Sequence, residues 1–332
     1  MQRRMKTVLK FLVLAVLIIN LTNCNNRQYR KEINNETSQL SGKIIIFHAG
    51  SLTVPFRMLS DSFQKIYPQV KIQLEAAGSA ASARKITELG RKCDIMASAD
   101  YTIINRMLIP DYADWNIKFA GNEMVIGYHE QSRYADQINE NNWYEILLKD
   151  NVNYGRSDPN SDPCGYRSIL TIKLLEKYYN KPGITEKFLA KDQRFIRPKE
   201  TDLLALIESN TIDYLFIYSS VAKQHKLPYI KLPDTINLKD FDLSKLYKTV
   251  EVNIAGEKPG KFHTLYGEPM VYGITILNDA PNYEVALAFV DFILSERGAE
   301  VLEINGQPSL VPSYTETFEN IPEKLKKYTL NE

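Results

Sequence analysis

Apolar positions along this chain fall into two alternating periods. Ile44, Ile45, Ile46 and Phe47 form a continuous apolar run, the signature of a strand covered on both faces. Leu52, Phe56, Leu59, Phe63 and Ile66 then recur at three- and four-residue steps, marking one face of a helix, and Pro55 is tolerated in such a helix's first turn. The same alternation predicts a strand near Val70–Leu74, a helix through Ile86 and Leu89, and a strand near Asp94–Ala97. A helix at Leu203–Ser209, a strand at Tyr214–Tyr218 and a further helix follow. Strands alternating with amphipathic helices define an α/β fold. Near the end, Val285, Leu287, Phe289, Val290 and Ile293 mark a strongly apolar helix, with Gly298 at a helix junction.

Two apolar runs differ from the rest. "NEMVIGYH" (Asn122–His129) and "EPMVYGITIL" (Glu268–Leu277) each hold an internal glycine. Such a glycine marks a bulge or a close backbone approach. Read as crossovers, these runs divide the body into one lobe of 43–123 plus 270–332 and a second of 124–269. A cleft between two lobes is a common place for a small ligand.

The N-terminus has its own pattern. "MQRRMKTVLK" is basic and "FLVLAVLII" is apolar but short for a bilayer span, the arrangement of a secretory signal peptide over residues 1–23. It ends in "LTNC", which resembles a bacterial lipobox with Cys24 as the lipidated residue; the alternative is an ordinary cleaved signal. Residues 24–42 are polar and read as a tether. The expected location is therefore the outer side of a membrane in the cell envelope, held by a lipid anchor.

The chain has 332 residues and a net charge of +1, so no strong field favours nucleic acid. Cys93 and Cys164 are the remaining cysteines and are expected to be unpaired. His48, His129, His225 and His263 lack metal-ligand spacing.

Candidate chemistry gathers at turns between strands and helices. Ser51 follows Gly50 and Ser79 follows Gly78, each at a predicted strand-to-helix junction. Unpaired N–H groups at helix starts suit an anion, and two such turns can face one crevice beyond a sheet's carboxyl edge. Ser51 either caps its own helix or donates to that anion. In "SDPNSDPCGYRSIL" the N–H groups around Cys164 and Gly165 open a third helix. Asp162 is a capping acid there or part of a site; Glu200 lies at another helix start, in "IRPKETDLL". Acids at helix starts are ordinary, worth about 0.3–1 kcal/mol each. Two of them beside a dianion repel it, by about 1 kcal/mol per charge pair at 4 Å in water and by more in a cleft. The sign reverses when the oxyanion is centred on a hard metal able to add carboxylate oxygens and pass from four-coordinate to six.

"HAGSLTVPF", "GSAASARKITELGRKCDIMASADY", "IPDYADWNIKFAGNEMVIGY", "DPCGYRS", "RPKETDLLALIESNTIDYLFIYSSVAKQH" and "PMVYGITI" together resemble the tungstate/molybdate-binding proteins of the WtpA kind, the substrate-binding components of ABC importers. The resemblance spans nearly all of the chain after the tether. It implies a two-lobed, type II periplasmic-binding-protein-like fold with two crossover strands and a ligand cleft between lobes. It implies tungstate or molybdate in distorted octahedral coordination, and no cofactor. By motif, Ser51 and Ser79 match hydroxyl and N–H donors, Cys164 a backbone N–H donor, and Tyr218 a phenol on the oxyanion. Asp162 and Glu200 match the carboxylates that complete the metal's coordination, with Asp158 and Asp202 as neighbouring competitors. Arg84 and Arg167 are expected in salt bridges or at the surface, and Tyr101, Trp115 and Tyr166 in packing. The expected partners are a permease and an ATPase on separate chains, since no G-x-x-x-x-G-K-[ST] motif occurs, and the protein is expected to be a monomer.

Two other functions use the same residues. A ferric-iron or other cation binder would take Tyr218 and the acids as oxygen ligands, but has no use for paired Gly-Ser turns. A hydrolase would use Ser51 or Ser79 as nucleophile. It needs a positioned base; His48 is near Ser51 in sequence, but "HAGSL" lacks the G-x-S-x-G elbow.

Overall fold

The computed structural model describes residues 40–191, 193–256 and 260–331. The leader, Cys24 and the tether up to residue 39 lie outside the described residues. β1 (Gly42–Ala49), β2 (Val70–Ala77), β3 (Ile95–Ser98) and β4 (Ile117–Gly121) belong to a first sheet. The chain then crosses at Asn122 and Glu123 into a second sheet made of β5 (Met124–Tyr128), β6 (Tyr154–Ser157), β7 (Ile196–Arg197), β8 (Tyr214–Tyr218) and β9 (Tyr229–Lys231). A hairpin of β10 (Glu251–Ala255) and β11 (Phe262–Tyr266) precedes β12 (Val271–Ile276), which returns to the first sheet. The strand orders are β2-β1-β3-β12-β4 and β7-β6-β8-β5-β9. β1 runs parallel to β2 and β3, whereas β12 runs antiparallel to β3 and β4. The two sheets are the cores of two lobes, and the two glycine-bearing runs are the strands that receive the chain at each crossing.

Both faces of β1 are covered, as its apolar run requires. Ile44 and Ile46 pack with Phe56, Leu59 and Phe63 of α1 (Thr53–Ile66), whereas Phe47 packs with Ala83 and Ile86 of α2 (Ser79–Thr87). α2 stops at Thr87, so Leu89, expected on its apolar face, is exposed. α3 (Tyr101–Met107) follows β3, and α4 (Pro163–Tyr178) follows β6. The C-terminal pair α5 (Tyr283–Leu294) and α6 (Glu296–Ile304) meets at Ser295, whose hydroxyl caps α6 through Gly298 N–H. The region around Leu203 begins as a 3-10 turn at Glu200–Leu203 and continues as a helix at Leu204–Glu208. Gly273 marks both a register shift and a close approach: a Cβ there would sit 2.5 Å from the Asn116 side chain.

Cys93 and Cys164 are buried free thiols. No helix among the described residues is long and apolar enough to cross a membrane.

Candidate functional site

β1 ends at Ala49, and Gly50–Leu52 form a 3-10 turn before α1 begins. The Ser51 side chain caps neither helix. Its hydroxyl oxygen instead accepts a 2.9 Å hydrogen bond from the Tyr272 phenol, which itself accepts from the Asn122 amide at 2.8 Å. His48 is no base for Ser51: its Nδ1 contacts the Ala49 carbonyl at 2.8 Å, and burial lowers its pKa to about 4. Ser79 opens α2, and its Oγ accepts from Ala99 N–H at 2.9 Å. Tyr218, at the end of β8, accepts from Arg167 Nη1 at 2.9 Å. All three hydroxyls are buried. Each has a lone pair taken by a protein donor, which leaves its own proton for another acceptor.

Asp162 and Glu200 meet across two loops of the second lobe. Asp162 is the N-cap of α4: one carboxylate oxygen faces Cys164 N–H at 3.5 Å, and the other accepts from Glu200 N–H at 2.9 Å. Asp162 is thus a capping acid here, and its second oxygen reaches the Glu200 loop. Both acids are only 1% exposed; no N–H or hydroxyl donor among the described residues reaches the carboxyl oxygens of Glu200, whose side chain instead meets the Asp162 carboxyl. Burial raises the pKa of Asp162, against the Glu200 and Ser157 side chains and then the N–H donors of Glu200 and Cys164, which lower it. Glu200 is pushed well above the usual range by burial and then by the charge of Asp162. An ionised carboxylate buried without a compensating cation or donor costs roughly several kcal/mol, so this setting favours the protonated form of Glu200 in the absence of a ligand.

The competing acids are occupied elsewhere. Asp158 accepts from Asn160 N–H and the Ser161 hydroxyl in its own turn. Asp202 pairs with Lys199.

The two Gly-Ser turns of the first lobe press on these acids. A Cβ at Gly50 would lie 3.3 Å from both Glu200 carboxylate oxygens. A Cβ at Gly78 would lie 3.1 Å from Asp162 Cβ and 2.2 Å from the Ser161 carbonyl. Ala81 N–H donates to that carbonyl at 3.2 Å, and Arg84 donates to the Asn160 carbonyl at 2.8 Å. The lobes are therefore closed on one another, and Ser51, Ser79, Asp162 and Glu200 lie along their contact. Tyr218 and Cys164 border it from the second lobe, with Tyr218 raised well above its ordinary pKa by burial and so held as a proton donor. The Cys164 thiol faces the Phe216 carbonyl and burial keeps it protonated.

Sequence reasoning missed the residues behind these donors. Arg167, expected in a salt bridge or at the surface, does pair with Asp100 at 3.8 Å, but it is only 4% exposed and its service to Tyr218 was not foreseen. Burial opposes its charge, but Tyr218 and Asp100 outweigh that and raise its pKa. Tyr166, read as packing, is buried and also bonds Asp100 across the lobes. Tyr272 and Asn122 support Ser51 from the strand β12 and the first crossing. Asn122 and Tyr272 are polar residues at or within otherwise apolar runs, a signal that could have found them, whereas Tyr166 and Arg167 sit in the mixed stretch "DPCGYRS" with no such contrast.

Comparison with known proteins bears on this geometry. The family described as bacterial extracellular solute-binding protein matches residues 44–306. A molybdate/tungstate-binding protein WtpA from Pyrococcus abyssi is 48% identical over 318 residues, covering 88% of this chain and 91% of its own. A protein of the same description from Thermococcus kodakarensis is 46% identical over 320 residues, covering 88% and 89%. The periplasmic molybdate-binding protein of Azotobacter vinelandii has the same fold, with a TM-score of 0.59 at 13% identity over 80% of this chain and 98% of that one. The two-lobed fold and these matches agree: the chain belongs to the bacterial extracellular solute-binding proteins, and its work is binding a solute for transport, not catalysis.

Proposed function

We propose that this protein captures tungstate or molybdate outside the cytoplasm and delivers it to an ABC permease. The observation that carries the reading is a pair of buried carboxyls, Glu200 against the Gly50–Ser51 turn and Asp162 against the Gly78–Ser79 turn, with no N–H or hydroxyl donor on the Glu200 oxygens. Two carboxylates repel sulfate or phosphate, whose central atoms do not take further oxygen ligands. A hexavalent metal centre accepts hard oxygen donors, so the same acids become ligands. Ser51, Ser79 and Tyr218 would donate their free protons to the oxyanion's oxygens, and the Cys164 N–H, which faces Asp162 at 3.5 Å in this structure, would turn to the ligand as Asp162 coordinates the metal. The names of the two WtpA relatives support this ligand class.

Coordination would then be octahedral, with about four oxygens from the anion and about two from Asp162 and Glu200. X-ray absorption on the tungstate complex tests this directly. Six oxygen neighbours are expected; a tetrahedral centre with neither acid attached would overturn the proposal. Calorimetry with tungstate, molybdate, sulfate and phosphate is the companion test, and sulfate binding as tight as tungstate would be equally fatal. An iron site is disfavoured because the Ser51, Ser79 and Tyr218 oxygens each already accept from a protein donor and keep a proton to give, which suits an anion better than a cation.

The same reading divides the body into lobes of 43–123 plus 270–332 and of 124–269, closing on the ligand as hinged binding proteins do. A lipid on Cys24 would hold this monomer at the membrane, with residues 24–42 as its tether and a permease and ATPase on other chains. Mass spectrometry of the membrane-extracted protein should show a diacylglyceryl adduct on Cys24.

A further inference from the structure

One buried charged group contacts both lobes close to the site and has no place in the coordination scheme. Arg167 lies on α4, in the second lobe. Its Nη1 donates to the Ala99 carbonyl of the first lobe at 2.7 Å and to the Tyr218 hydroxyl of its own lobe at 2.9 Å. Its Nη2 stands 3.8 Å from Asp100 Oδ2, again across the lobes. Tyr166, one residue earlier, donates its phenol proton to that same Asp100 oxygen. The other Asp100 oxygen caps α3, accepting from Thr102 N–H at 2.9 Å and the Thr102 hydroxyl at 2.8 Å. Asp100 is thus fixed to the first lobe by one oxygen and offers the second to its neighbour.

Ala99 makes the coupling two-sided. Its carbonyl receives Arg167, and its N–H holds Ser79 Oγ at 2.9 Å. One guanidinium therefore touches the residue that orients a hydroxyl of the first lobe and directly engages a hydroxyl of the second. A guanidinium's fixed fork can serve several acceptors at once. Hydrogen bonds with a charged partner are about twice as strong as neutral ones when buried. These interlobe bonds exist only while the lobes are together.

We propose that Arg167 is a positioning residue that, with Asp100 and Tyr166, latches the closed lobes and turns the Tyr218 proton toward the ligand. The role rests on the oxyanion reading for its ligand, but the latch itself rests only on contacts across the lobes. Closure bonds act on escape more than on encounter, because affinity differences within one site lie mostly in the dissociation rate.

The test uses the whole soluble body with one spin label on each lobe, giving the closed fraction from interlobe distances. Stopped-flow measurements with sodium tungstate give the rates. Tyr166→Phe removes one interlobe bond and keeps the ring; Arg167→Lys keeps the charge but loses the fork. Tyr166→Phe should raise the tungstate dissociation rate about tenfold, with association changed less than about threefold. Arg167→Lys should raise it further and lower the closed fraction, while the tungsten absorption spectrum of the bound form stays that of wild type. If Arg167→Lys does not fold, Tyr166→Phe carries the test alone. An unchanged closed fraction and dissociation rate in the folded variants overturns the latch. Failure of the wild-type protein to bind tungstate or molybdate overturns the ligand reading instead, and the closed fraction of the free protein then decides the latch.

Discussion

Glu200 is costly to the fold and valuable to the proposed ligand, and a single substitution separates the two effects. Glu200→Gln keeps the shape and removes a buried ionisable group whose charged form is disfavoured by burial and by Asp162. Tungstate affinity should fall by at least about 100-fold, the upper end of what losing a supporting partner costs a metal site. Thermal stability of the free protein should hold or rise, because a neutral group replaces an ionisable one in a dry setting. Calorimetry and a thermal melt on one preparation measure both; a melt lowered along with affinity would mean that the carboxylate supports the fold. His48 gives a pH dependence of known sign. Burial lowers its folded pKa to about 4 from an ordinary 6.5, so the unfolded chain binds its proton first. The stability present above pH 6.5 is lost as pH falls toward 4, by about 3 kcal/mol in all. Asp162 and Glu200, raised in the fold, act with the opposite sign. The contribution of His48 is therefore the difference between wild type and His48→Asn in urea titrations at pH 7 and 4.5, and equal losses in both proteins would exclude it.

The turn between β2 and α2 shows how a short connection serves the other lobe more than its own. Gly78 has φ −58° and ψ 141°, a conformation open to any residue. Its small size matters because a Cβ there would stand 2.2 Å from the Ser161 carbonyl across the contact. Gly78→Ala should leave each lobe folded, with an unchanged circular dichroism spectrum and melting temperature, yet weaken tungstate binding more than about tenfold by obstructing closure. A lowered melting temperature with intact affinity would show that the glycine serves its own lobe. This also explains what could be read from sequence. The apolar run Ile44–Phe47 and the stripe Phe56, Leu59 and Phe63 are local patterns, and they became β1 and α1. Ser51, Ser79, Asp162 and Glu200 stood at strand-to-helix turns, where local chemistry is legible, and the fold brings these turns together. Arg167 on Ala99, Tyr166 on Asp100 and Tyr272 on Ser51 join residues 66 to 221 positions apart. No local period encodes such pairs. The β10–β11 hairpin was missed because its alternating exposed and half-buried residues, Phe262 to Tyr266, lack a continuous apolar run.

Among the described residues, contacts that join the two lobes include the Gly50–Glu200 and Gly78–Ser161 approaches, the Arg167 cluster, the Gln224 bonds to Ser51 and Asn305, and the first crossing at Asn122. The last of these ties the hinge to the site. The Asn122 amide donates to Ser220 in the second lobe at 2.7 Å and to Tyr272 in the first at 2.8 Å, and Tyr272 donates to Ser51. A change in lobe angle must therefore disturb the hydrogen bond that leaves the Ser51 proton free. A ligand that binds only the closed arrangement draws the population toward it by its differential affinity, and the same differential affinity protects the fold. At about 1,000 times the dissociation constant the stabilisation is about 4 kcal/mol, which for a body of this size raises the melting temperature by several degrees. Tungstate should thus both shrink the radius of gyration in small-angle scattering and raise the melting temperature. Tyr272→Phe breaks the coupling with minimal change in volume: Ser51 loses its donor, and Asn122 loses an acceptor. The expected result is a reduced thermal shift at fixed tungstate, corresponding to about fivefold to tenfold weaker binding, with compaction still complete at saturation. Full affinity in Tyr272→Phe would mean that Ser51 orients its proton without help from the hinge, and compaction lost at saturation would place Tyr272 in closure itself.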